Sequence, residues 1–150
     1  DILEPHLWMA NHTEYYSLVD YNYERFDSRG YTNLALYGEE IYRSKASYWD
    51  DKLREGVTML ADWSRRTGKA IVTTECWSVV DYKDWPLLNW DWIKHLCEVG
   101  VKQAVSEGRW VAIATSNFCG PQFVGMWRDI SWHQRLTDLI KSGKLPVDNT

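Results

Sequence analysis

Apolar positions recur in this chain with two different periods, and the switches between them mark out strands and helices. Asp1 to Met9 reads as a first strand with Ile2, Leu3, Leu7, Trp8 and Met9 apolar, provided that no neighbour needs the N–H missing at Pro5. From Ala10 to Arg43 the periodicity gives way to a connection rich in Tyr, Asn, Asp, Glu and Gly, with turn chemistry at Asn11-His12-Thr13 and Asp27-Ser28-Arg29-Gly30. A connection of that length is functional or holds short elements of its own. After Ser47 a helical stripe of Leu53, Val57, Leu60 and Ser64 appears, with Asp50, Asp51, Lys52, Arg54 and Arg65 facing water and Gly68 as the stop. The next strand, Lys69 to Trp77, is rich in β-branched residues and interrupted by Glu75.

A loop with Trp77, Trp85 and Pro86 leads to Asn89, which caps a helix whose apolar stripe is Ile93, Leu96, Cys97, Val101, Ala104 and Val105, ending near Gly108. Trp110 to Thr115 is a short continuous apolar run, as expected of a parallel strand covered on both faces. Ser116 to Ile130 forms a third loop, in which Arg128 and Asp129 are expected to pair locally. Ser131 with Gln134 is a capping-box signature for a last helix through Leu136, Leu139 and Ile140 to Gly143. The pattern predicts an α/β fold of three successive βα units. Right-handed crossovers make the strands parallel and bring the loops holding Trp8, Glu75 and Asn117 to one edge of the sheet.

That edge makes Glu75 the residue to explain. Simple alternation puts Ile71, Thr73 and Glu75 on one side of the strand and Val72, Thr74 and Cys76 on the other. Ligands of parallel α/β sheets bind at the carboxyl ends of the strands, so a carboxylate there is a catalytic candidate. The alternative is a structural strand-end carboxylate. His6 and Trp8 share a face of the neighbouring strand, and both can donate a hydrogen bond to Glu75. For His6 the alternative is a satisfied core histidine, and for Trp8 and Trp77 it is packing. His95 and His133 are expected at the surface.

Composition narrows the setting. At 150 residues the chain can bury one sizeable core, so residues 1–150 are read as a single domain or part of one. With 17 basic and 21 acidic residues the net charge of -4 attracts neither nucleic acid nor an anionic membrane, and no apolar run is long enough to span a bilayer. The start, Asp1-Ile-Leu-Glu-Pro-His-Leu-Trp8, reads as if a longer chain had been cut. Cys76, Cys97 and Cys119 are widely spaced and form no metal knuckle or disulfide framework. Reduced core thiols lean towards a cytoplasmic location, with upstream sequence free to hold an export signal. His6, His12 and Glu14 fit no standard metal spacing, and no metal or cofactor is expected. Ten Trp and nine Tyr supply rings suited to core packing or to stacking on sugars.

Taken together, these features resemble the last three βα units of a clan A glycoside hydrolase, one of the (β/α)8 TIM barrels that include the cellulases, and most closely a cellulase-like, sugar-binding branch. Ile71-Val72-Thr73-Thr74-Glu75 matches the run that ends strand seven in the nucleophilic glutamate of that clan. Pro5-His6-Leu7-Trp8 stands where strand six of many members bears a His-x-Tyr pair, with Trp8 in place of the tyrosine. Thr115-Ser116-Asn117-Phe118 stands where strand eight commonly ends in a sugar-stacking Trp, a role that Phe118 or Trp127 can take over. The clan's acid/base glutamate follows an asparagine on strand four, and no Asn-Glu dipeptide occurs in this chain.

The resemblance implies a retaining hydrolase of β-linked oligo- or polysaccharide. Glu75 would be its nucleophile, and His6, Trp8, Trp77, Asn117, Phe118 and Trp127 would contact substrate. The acid/base carboxylate would come from upstream sequence, leaving this chain inactive alone and associated with the missing N-terminal part of the barrel. A cellulase-like protein that binds carbohydrate without catalysis is the alternative.

Overall fold

A computed structural model describes residues 1–11, 13–22, 28–79, 82, 88–115, 126 and 128–144. Pro5 divides the first strand into β1, Ile2–Leu3, and β2, Leu7–Trp8. After a 3-10 turn at Met9–Asn11 come the helices α1, Thr13–Leu18, α2, Ser28–Ser44, and α3, Ala46–Thr67. The second strand is also divided: β3, Ala70–Thr73, and β4, Cys76–Trp77, flank a bend at Thr74 and Glu75. Helix α4, Asp91–Glu107, strand β5, Trp110–Ile113, and helix α5, Ile130–Ser142, complete the described elements.

All strand pairings are parallel, in the order β1–β3–β5, with β2 beside β4 as the continuation of the first pair. Strands that follow sequence order with right-handed crossovers carry their helices on one side of the sheet. Contacts of α3 with α4, and of α4 with α5, form that layer. The approach is close. A Cβ at Gly56 of α3 would lie 3.0 Å from a Leu7 methyl, and one at Gly100 of α4 would lie 2.4 Å from the Trp77 ring. Both helices stop at the glycines expected from the sequence, Gly68 and Gly108, in left-handed conformation at φ 68° and 64°. The predicted stripes of α3 and α4 are buried except for the half-buried Val105, and they are joined by Trp49 and Trp92.

Several expectations are corrected. The connection from Ala10 to Arg43 contains a full helix, α2, whose buried positions Gly30, Leu34, Gly38 and Tyr42 recur every four residues. Two of them are glycines, so the stripe does not read as apolar. Gly38 leaves room for the Tyr15 hydroxyl, which donates to the Gly38 carbonyl at 2.8 Å. Asp50 does not face water. It is buried on α3, where it accepts from the Tyr42 hydroxyl of α2 at 2.7 Å and lies 2.9 Å from Nε2 of His95 on α4.

Helix α5 opens on Asp129, which accepts from the Trp132 N–H at 3.0 Å, while Gln134 turns to Asp138. Asp129 also receives Lys94 of α4 at 2.9 Å, a tertiary contact in place of the expected pair with Arg128. The β5 run is covered on one side only, with Trp110 buried and Val111 43% exposed. Its ladder with β3 slips, Ile71 facing Trp110 and Val72 facing Ala112, so Val111 is an extra residue in a bulge.

Candidate functional site

The side of the sheet away from the helices is open. Along the first strand Ile2, Glu4 and His6 are exposed, while Leu3, Pro5 and Leu7 between them are partly covered and Leu7 lies against Gly56 of α3. Ile2, Glu4 and His6 therefore share the face turned away from the helices. On the second strand Ile71 and Thr73 are buried, and Thr73 accepts a hydrogen bond from the buried Trp110 indole at 2.9 Å.

Simple alternation would bury Glu75 with them, and the register shows why it does not. Leu3 faces Ile71, but Leu7 faces Cys76, so the first strand advances four residues while the second advances five. The extra residue falls at the Thr74–Glu75 bend and reverses the alternation, as a bulge does. Thr74 is exposed and donates to the Glu4 carboxylate at 2.8 Å, and Glu75 turns towards His6. The expected grouping of Glu75 with Ile71 and Thr73 is corrected accordingly.

Glu75 Oε2 lies 3.5 Å from His6 Nδ1, an ion pair whenever the imidazole is protonated, and the two side chains are 44% and 49% exposed. A half-open carboxylate beside an imidazole, at the carboxyl ends of parallel strands, can accept a proton, bind a sugar hydroxyl or attack an electrophilic carbon. The indoles behave differently. Trp8 and Trp77 face each other in the β2–β4 ladder, but both are buried. Trp77 is fully covered, packs on Gly100 and donates its N–H to the Ala114 carbonyl at 2.9 Å. Ring and N–H are both committed to the core. Trp8 is 5% exposed. Cys76 and Cys97 are both buried. Asn117, Phe118 and Trp127, with Cys119 and His12, lie outside the described residues.

At the end of β5 the Thr115 hydroxyl lies 3.2 Å from His133 Nδ1, and His133 Nε2 lies 3.2 Å from the Met126 carbonyl. A carbonyl only accepts, so Nε2 carries the proton and Nδ1 accepts from Thr115. Burial holds the His133 pKa below its ordinary value, in place of the surface position expected for it. His95 is half exposed but tied to Asp50. Two further tyrosine hydroxyls bond within the fold: Tyr48 donates to Glu14 at 2.7 Å and Tyr82 to the Asn89 carbonyl at 2.9 Å. Among the described residues no group of three or more His, Cys, Asp and Glu side chains is placed to hold a metal ion, and no helix is long and apolar enough to cross a membrane.

Sequence alone missed Glu4 and Thr74. The only signal available was that Glu4 stands two residues before His6 on the same strand.

Residues 1–141 match the family model described as sugar-binding cellulase-like, and the chain belongs to that family. Among solved structures it is similar to a "putative glycoside hydrolase" from Parabacteroides distasonis ATCC 8503, with 50% sequence identity and a TM-score of 0.91. The alignment covers 97% of this chain and 39% of the other, so this chain spans about two fifths of that protein's length. No curated protein matches.

Proposed function

We propose that this chain is the nucleophile-bearing part of a retaining glycoside hydrolase, contributing strands six to eight of a clan A (β/α)8 barrel, with Glu75 as nucleophile on a β-linked oligo- or polysaccharide. The observation that carries the reading is the one-residue slip that lifts Glu75 out of the covered side of the sheet and sets it beside His6. Consecutive parallel strands with helices on one side and an uncovered opposite face suit a sector of a barrel, whose missing strands would close over the open side. The other solved protein's greater length supports the same view.

In such an enzyme the Glu75 carboxylate attacks the anomeric carbon and forms a glycosyl ester. The leaving-group oxygen takes a proton from a second carboxyl group, supplied by sequence outside these residues and held about 5–5.5 Å from the first. Water, giving its proton to that second group, then attacks the anomeric carbon, and the bond to Glu75 breaks to return the nucleophile as its carboxylate. His6, whose Nδ1 lies 3.5 Å from the carboxylate, would orient it. Asn117, Phe118 and Trp127 remain candidate sugar contacts on the third loop.

A second reading, carbohydrate binding without hydrolysis, is favoured by the family description itself, which names sugar binding. The test is turnover of aryl β-glycosides by the complete protein and its Glu75→Gln variant, alongside oligosaccharide titrations followed by tryptophan fluorescence. Hydrolysis with retention of configuration that is lost in Glu75→Gln supports the enzyme. Saturable binding without turnover supports the binder, and neither response sinks both.

A further inference from the structure

A bulge breaks the strand ladder, so a bulge that aims a functional side chain needs something else to hold it. Across the Thr74–Glu75 bend that hold comes from the neighbouring strand. The Thr74 hydroxyl donates to Glu4 Oε1 at 2.8 Å, a bond between residues 70 apart in sequence. Glu4 and His6 stand on the same open side of the first strand, so Glu4 grips Thr74 while His6 meets Glu75 at 3.5 Å. The two contacts fix consecutive residues of one bend.

We infer that Glu4 and Thr74 are positioning residues for the reaction assigned to Glu75. Their charge-assisted hydrogen bond sets the bend, and with it the direction of the Glu75 carboxylate; this rests on the nucleophile reading above. The chemistry explains the residue types. A carboxylate accepts without a competing donor, and hydrogen bonds to an ionised partner are shorter and stronger than neutral ones. A threonine hydroxyl can donate from a β-branched side chain already suited to a strand. Without the bond, the bend would lose one of the side-chain links that tie it to the first strand. A misplacement of about 1 Å at a reacting group costs on the order of 10²-fold in rate.

The experiment is steady-state kinetics of the complete protein, with kcat expressed per active site titrated by a mechanism-based inactivator, so that a misfolded fraction does not count. Thr74→Val and Glu4→Ala are expected to lower kcat about 10- to 100-fold, the range set by such a misplacement, with KM changed less than about twofold. Thr74→Ser, which keeps the hydroxyl, and Glu4→Gln, which keeps an acceptor oxygen, should recover most of that loss. The double variant Glu4→Ala/Thr74→Val should be no slower than either single one, because both remove the same bond.

Wild-type kcat per titrated site in Thr74→Val and Glu4→Ala would overturn the inference, as would failure of Thr74→Ser to recover the rate. Glu75→Gln run in parallel separates the two claims. An inactive Glu75→Gln beside unaffected Thr74 and Glu4 variants refutes only the positioning role, whereas an active Glu75→Gln refutes the nucleophile and the positioning role together.

Discussion

On the helix side of the sheet, side chains are locked by several partners at once, whereas on the open side they meet one another in pairs and are half exposed. Trp77 illustrates the first condition, with its ring against Gly100 and its N–H on the Ala114 carbonyl. Glu107 of α4 illustrates it for charge, receiving Thr58 at 2.8 Å, Gln103 at 3.0 Å and Arg65 at 2.6 Å. Across the sheet, Glu4 meets Thr74 and Glu75 meets His6 between strands, beside the exposed apolar residues Ile2 and Val111. The difference teaches where to look for chemistry. Groups held by many partners are committed to the fold, and groups held by one or two in an accessible position keep lone pairs for a ligand.

The contrast can be broken from the packed side first. Trp77→Ala should cost about 3–5 kcal/mol, the range for deleting a buried large aromatic, and the shift of the urea midpoint measures it. A loss under about 1 kcal/mol would mean that Trp77 is not a core residue. Asp50→Ala leaves the Tyr42 hydroxyl buried without its acceptor and should cost about 1–3 kcal/mol by the same measurement.

A smaller effect is expected at Glu107, and it carries a pH signature. Burial pushes the carboxyl up, but hydrogen bonds from Arg65, Thr58 and Gln103 outweigh it and hold the pKa below the ordinary 4.5. A depressed carboxylate stabilises the fold above its unfolded value, and the contribution is lost as pH falls through the folded one. Wild type should therefore exceed Glu107→Gln by about 1 kcal/mol near pH 7, with the gap closing below about pH 4.5. A gap unchanged down to pH 3 would contradict this. Smallest of all, Ile2→Ser on the open side should leave the stability of this chain within about 0.5 kcal/mol.

Parallel βα order, the glycine stops of α3 and α4 and the candidacy of Glu75 were legible in the sequence, because β-branched runs, apolar stripes and an acid within a strand are local signals. Helix α2 was hidden because Gly30 and Gly38 pack through their lack of a side chain. Asp50 was misplaced because a charge on a helix is read as solvated until its partners, Tyr42 and His95, are brought in from other helices. The direction of Glu75 was hidden for a related reason. A bulge is a mismatch between two strands, and neither strand announces it alone.

The central claim is that the lifted carboxylate of Glu75 attacks sugar. The direct measurement is to treat the complete protein with activated 2-fluoro β-glycosides and to map the covalent adduct by peptide mass spectrometry. The account predicts one glycosyl group esterified to Glu75 and no labelling of the Glu75→Gln variant; an adduct on another residue, or turnover without any adduct, would contradict it.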